Sequence, residues 1–234
     1  MVNNKISVMI LAAGYGMRLR PITERIPKPL VRVAGIPLLQ NILNHVLKLN
    51  CKEIVINTHY QHEKIYDFIK NNYARETIFI SNEKKLLDTG GGVKNALPLF
   101  TNKNVLILNS DIFWQLDNFQ DIKNLIKNFR NEQRCKLLLV SKKQAHGIYN
   151  IKGDFTIDHG LIKRFKENQK VFFYSGAQII SLDILKDFKK EKFSFNLIWD
   201  QLIDKQLIFG DIMQSDWYNV GDIKSLKEVE NLIT

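Results

Sequence analysis

The chain predicts an α/β fold: a mostly parallel, doubly wound sheet with helices on both faces, joined to a smaller α+β lobe. Three observations predict it. Strand-like apolar runs alternate with helical patterns from residue 7 to residue 140. Runs such as 105–108 lack a polar side, as strands buried on both faces do. Beyond about Ser141 the pattern changes to short runs separated by Gly153 and by His159 and Gly160, which reads as a β-meander.

The elements follow in order. Residues 7–11 make the first strand. Pro37 opens a helix with apolar residues at Leu38, Leu39, Ile42, Leu43, Val46, Leu47 and Leu49, the spacing of one buried helical face. Residues 53–58 make a second strand, and 61–72 an amphipathic helix with Ile65, Phe68 and Ile69 on one side. Strand 77–81, helix 91–97, strand 105–108, helix 119–129 and strand 136–140 continue the alternation. The meander is read over 149–152, 155–158 and 161–165. A long strand over 171–181, helices over 182–188 and 195–205, and an amphipathic helix over 223–233 complete the pattern. All five prolines lie before residue 99, with no repeat or low-complexity block, so residues 1–234 read as one domain. Its two parts are a core over 1–141 and a smaller lobe with a closing helix over 142–234.

Composition narrows the class of function. At 234 residues, 45% apolar and 25% charged, the chain has an ordinary globular balance and enough length for a large core. The first apolar run is short and has no basic stretch before it, and no uncharged apolar segment approaches the roughly 18 to 20 residues of a membrane span. A cytoplasmic protein with no membrane partner is expected. Cys51 and Cys135 have no metal-type spacing and read as free thiols, and the five histidines form no ligand pattern. The net charge of +10 attracts anions, but the lysines are spread evenly without interleaved aromatics, so nucleic acid is not expected as a partner.

In open α/β sheets ligands bind beyond the carboxyl ends of the strands. There the first strand runs into Leu11-Ala12-Ala13-Gly14-Tyr15-Gly16-Met17-Arg18-Leu19-Arg20-Pro21, followed by Pro27-Lys28-Pro29-Leu30. The segment lacks the Gly-Lys-Ser/Thr ending of a P-loop and the third glycine of a dinucleotide fingerprint. It has small residues that let backbone approach a phosphate or base, and glycines that let N–H groups turn inward. Arg18 and Lys28 add a guanidinium fork and a compact ammonium, two groups suited to phosphate oxygens. Asp111, at the end of Asn109-Ser110-Asp111, falls beyond an apolar strand, where a carboxylate can hold Mg²⁺ against substrate phosphates.

This sequence resembles the nucleotidyltransferases that make nucleoside-diphosphate sugars, whose signature is matched from Leu11 to Leu30. The segments Leu87-Asp88-Thr89-Gly90-Gly91-Gly92, Asn109-Ser110-Asp111, Ser175-Gly176 and Trp217-Tyr218-Asn219-Val220-Gly221 are most similar to the N-acetylmuramate-1-phosphate uridylyltransferase branch. The resemblance implies a Rossmann-like core that binds an NTP, with UTP favoured, a lobe over 142–234 that binds a sugar-1-phosphate, and Mg²⁺ as the ion. It assigns Arg18 and Lys28 to catalysis. Leu11, Ala12, Ala13, Gly14, Gly16, Asn57, Asp88, Gly90, Gly91 and Gly92 go to the nucleotide, Asp111 and Asn219 to the metal, and Asn109, Asp154, Ser175 and Gly176 to the sugar phosphate. Asn57 can equally cap its strand, and the glycine triplet can equally form a turn that opens a helix.

Two departures stand out. Asn219 occupies the place of the family's second metal carboxylate, keeping an oxygen donor and losing the charge, while Asp222 reads more simply as a helix N-cap. Met17 replaces a small polar or acidic residue. Two other readings stay open: a CTP:phosphocholine cytidylyltransferase of the same family, and a nucleotide-sugar-binding protein without catalysis. The oligomeric state is not legible.

Overall fold

The computed structural model describes residues 5–130, 132–149 and 152–234. Its centre is a nine-stranded sheet built from β1 (Ser7–Leu11), β2 (Ile54–Thr58), β3 (Ile78–Asn82), β4 (Asn104–Asn109), β5 (Cys135–Ser141), β6 (Phe155–Asp158), β7 (Leu161–Arg164), β8 (Phe172–Ser181) and β9 (Ile208–Ile212). The spatial order is β6-β7-β9-β5-β8-β4-β1-β2-β3. β1 is parallel to both β2 and β4, β2 to β3, and β9 to β5, whereas β7 and β8 run against the rest.

Strand side chains alternate between faces, and both faces are apolar. Val8, Ile10, Leu106 and Leu108 enter one core layer, beneath α1 (Leu38–Val46), α2 (His62–Asn72) and α4 (Leu116–Asn128). Met9, Val105 and Ile107 enter the other, beneath α3 (Asp88–Asn95) and α5 (Phe195–Asp204). A third cluster joins Leu19, Val31, Leu38, Tyr218 and Val220 to α6 (Ile223–Ile233), so the carboxyl-terminal helix closes over the loop that follows β1. Among the described residues no helix is long and apolar enough to cross a membrane.

Several boundaries differ from the sequence expectation. α3 begins at Asp88 rather than 91, because the Phe193 carbonyl accepts the N–H groups of Gly90 and Gly91 at 3.0 Å and secures a turn that propensity disfavours. α4 begins at Leu116 rather than 119, where a Gln115–Asn118 capping box starts it; Leu116 is 76% exposed and gives no apolar signal. The helix read over 182–188 is the single turn Asp183–Lys186. Of the meander, β6 and β7 form a hairpin, while the run over 149–152 includes 150 and 151, outside the described residues. Both cysteines are free thiols, as expected. Burial, with Glu53 nearby, pushes Cys51 up to about 12, and burial also raises Cys135.

Candidate active site

Leu11, Asn57 and Asn109 stand in register at the carboxyl ends of three adjacent parallel strands. Beyond them lies a cavity of about 530 Å³, within the range of small-molecule sites. The chain leaves β1 as Ala12–Gly16 and forms one wall. Gly16 has φ +65°, and a Cβ there would stand 2.9 Å from Thr23 Cγ2 and 3.0 Å from Lys28 Cβ. Glycine therefore lets this loop fold down onto the Lys28 stem. The Thr23 hydroxyl donates to the Gly16 carbonyl at 2.9 Å and fixes the turn. In the turn Met17–Leu19, Leu19 is fully buried, while Arg18 is exposed and lines the cavity.

Lys28 and Asp111 meet across this cavity. Lys28 Nζ is 3.0 Å from Asp111 Oδ2, with the two side chains 13% and 26% exposed. Asp111 Oδ1 is buried without a hydrogen-bond partner, an unfavourable state for a carboxylate oxygen unless a cation or donor arrives with the ligand. A hard ion fits that unpartnered acceptor. Among the described residues no group of three or more His, Cys, Asp or Glu could hold a metal.

The backbone around Asp111 is fixed by a small ribbon. Val220 N–H donates to the Asp111 carbonyl at 2.8 Å, and Asn219 in the strand Trp217–Asn219 pairs with Ile112. Asn219 Nδ2 donates to the Gly147 carbonyl at 3.3 Å. Asp222 is the N-cap of α6, its Oδ1 accepting from Ser225 N–H at 2.8 Å. That backbone bond holds the Asp222 carboxyl below its usual range, with further lowering from the Arg18 guanidinium. A Cβ on Gly221 would lie 3.5 Å from an Arg18 terminal nitrogen, which places this cation against the 221–222 turn.

Of the residues named from sequence, Leu11, Ala12, Ala13, Gly14, Gly16, Arg18, Lys28, Asn57, Asp88, Asn109 and Asp111 line this one cavity. Gly90, Gly91, Gly92, Asn219, Asp154, Ser175 and Gly176, also assigned to the site, stand outside its lining. Gly90, Gly91 and Gly92 are buried in close packing, where a Cβ would come within 2.4 Å of the Phe193 ring, 2.3 Å of the Glu191 carbonyl, and 2.6 Å of both Asn57 Nδ2 and Glu83 Oε1, respectively. Asn219 lies on the ribbon, paired with Ile112 next to Asp111. Asp154 uses Oδ2 to accept the Tyr174 N–H at 2.9 Å and so ties β6 to β8. Ser175 and Gly176 lie at the bulge of β8, where a Cβ on Gly176 would stand 3.1 Å from Asn109 Cβ.

Sequence reasoning did not single out Leu86, Thr89 or Lys192, which also line the cavity. Thr89 is part of a quoted motif. Lys192 carries no such signal: its neighbour Phe193 reaches the site through backbone bonds to Leu87, Gly90 and Gly91, about a hundred positions earlier.

The family model for nucleotidyl transferases matches residues 7–234. The N-acetylmuramate alpha-1-phosphate uridylyltransferase of Caulobacter vibrioides is 30% identical over 92% of this chain and 91% of its own. The D-glycero-alpha-D-manno-heptose 1-phosphate guanylyltransferase of Campylobacter jejuni is 31% identical over 81% and 83%. Among solved structures, HddC from Yersinia pseudotuberculosis complexed with GMP-PN superposes with a TM-score of 0.75 at 23% identity, covering 97% of this chain and 99% of that one. The chain belongs to the nucleotidyl transferase family, among the sugar-1-phosphate nucleotidyltransferases.

Proposed function

We propose that the protein joins UTP to a sugar 1-phosphate, giving a UDP-sugar and pyrophosphate. The observation that carries this reading is the convergence of Arg18, Lys28 and Asp111 on one cavity at the strand ends. An oxygen of the sugar phosphate attacks the α-phosphorus in line, and the bond from that phosphorus to the α–β bridging oxygen breaks. Both reactants are anionic, so the protein contributes mainly position and charge neutralisation. Arg18 holds the leaving β- and γ-phosphates. Lys28 binds the α-phosphate and the incoming phosphate from its place beside Asp111. The small residues Ala12, Ala13 and Gly14 admit the nucleotide.

Asp111, with Asn219 on the ribbon next to it, is the group that would hold Mg²⁺, and the ion when bound supplies further neutralisation of phosphate charge. The lobe over 142–234 meets the sugar near Asn109, against which Gly176 packs. UTP is favoured because the uridylyltransferase relative aligns over nearly the whole chain, and GTP is the next base to test. A reaction fed by nucleoside triphosphates places the protein in the cytoplasm.

Pyrophosphate release is the test, run with UTP, GTP, CTP and dTTP against sugar 1-phosphates and phosphocholine. UTP with a sugar 1-phosphate is expected to give the highest rate. CTP with phosphocholine as the sole active pair would replace this reading by the cytidylyltransferase. Silence of every pair with Mg²⁺ and Mn²⁺, alongside a raised melting temperature with UTP, would leave a binding protein.

A further inference from the structure

We infer that Glu83 is a positioning residue that holds two walls of the cavity in register, with Asn57 as its relay. The inference rests on the nucleotide-binding reading above. Glu83 follows β3, is 3% exposed and lies outside the cavity lining. Both its carboxylate oxygens are occupied: Oε1 accepts from Asn57 Nδ2 at 2.7 Å, and Oε2 accepts from Leu87 N–H at 2.9 Å. Asn57, also 3% exposed, passes the constraint on, its Oδ1 accepting from Ala12 N–H at 2.8 Å. The Glu83 carbonyl accepts from His59 Nδ1 at 2.7 Å, and the other ring nitrogen of His59 is 3.2 Å from the Tyr15 hydroxyl.

One side chain thus joins the two segments between which a nucleotide must fit. Ala12 begins the loop after β1, and Leu87 precedes Asp88, which has φ +65° and lines the opposite wall. Asn57 lines the cavity, and each end of its amide makes one bond to protein, which sets the position of the Ala12 backbone. The chemistry of residue 83 follows from its partners. Two N–H donors converge on it, a carboxylate supplies two acceptors, and a glutamine supplies one. Gly92 belongs to the same device, since a Cβ there would come within 2.6 Å of both Asn57 Nδ2 and Glu83 Oε1. Among the described residues no Lys or Arg pairs with Glu83. A buried carboxylate held only by neutral donors is a poor source of stability, which favours a role in geometry.

A complementary exchange tests the relay. Glu83→Gln places an amide nitrogen against a donor, and Asn57→Asp sets two carboxylates face to face. The pair Asn57→Asp/Glu83→Gln restores every bond. The carboxylate introduced at position 57 would accept from Ala12 N–H and from the amide introduced at position 83, whose oxygen would accept from Leu87 N–H. Each single variant is expected to raise the KM for UTP on the order of tenfold, with kcat at saturating UTP little changed. The double variant is expected to return to within about threefold of wild type. If a single variant does not fold, the double is compared directly with wild type. A Glu83→Gln protein with wild-type KM, or a double variant no better than the weaker single, would overturn the inference. Should the wild-type protein bind no nucleotide, the function proposed above fails instead. The relay is then read from amide hydrogen exchange at Ala12 and Leu87, faster in the singles and restored in the double; unchanged exchange in the singles would overturn it.

Discussion

At the scale of single residues, the site depends on one ion pair with an acceptor to spare. Lys28 neutralises one oxygen of Asp111 and leaves Oδ1 without a partner. A charge-assisted hydrogen bond contributes about 1.5–3 kcal/mol, so Lys28→Ala is expected to lower kcat/KM by roughly 10- to 150-fold in the pyrophosphate-release assay. A change of less than threefold would remove Lys28 from the reaction. Asn219→Asp adds a carboxylate beside the Asp111 backbone and is expected to lower the Mg²⁺ concentration giving half-maximal rate; an unchanged requirement would place residue 219 away from the ion. Arg18, Lys28 and Asp111 were legible because cations and carboxylates near strand ends advertise their chemistry. Glu83 and Lys192 were not. Their place at the cavity comes from partners met only after folding, Asn57 and Leu87 for the first and the 87–91 segment beside Phe193 for the second.

At the scale of elements, α6 shows how a local signal serves the site. Asp222 caps this helix through Ser225 and lies beside Arg18, so the cap also fixes the turn that flanks this cavity-lining cation. Asp222→Ala is expected to destabilise the protein by about 0.5–2 kcal/mol. Because the folded Asp222 carboxyl is held below its usual range, its contribution is complete above the unfolded pKa of about 3.9 and is lost as pH falls through the folded value. Denaturant unfolding of the two proteins should therefore show a constant difference from pH 5 upward that shrinks in acid. A difference that grows as pH falls would contradict the sign. This cap was legible from sequence, as were β1 and the apolar face of α1. The start of α3 was not, because three glycines carry no helical propensity and their turn is secured by Phe193 from far along the chain.

At the scale of the whole molecule, the residues after 141 complete the sheet that the earlier ones begin. β8 lies between β4 and β5, with Ala177 opposite Leu108 and Gln178 opposite Leu137, and the Trp217–Asn219 strand pairs with residues next to Asp111. A fragment of residues 1–141 is accordingly expected to lack a cooperative thermal transition, and a sharp transition would show that the earlier part folds alone. Alternation of apolar strands with helices made the α/β class legible. The insertion of β8 at the centre was not, since periodicity identifies a strand and says nothing of its neighbours.

In the proposed reaction the cavity directs attack to the α-phosphorus of a bound nucleoside triphosphate. Its most direct test follows the phosphorus atoms of UTP labelled separately at the α and γ positions, with the sugar 1-phosphate that gives the highest rate. All transferred α-label is expected in the nucleotide sugar and all released γ-label in pyrophosphate. Transfer of the γ-label to the sugar phosphate, or its release as inorganic phosphate with no labelled nucleotide sugar, would contradict it.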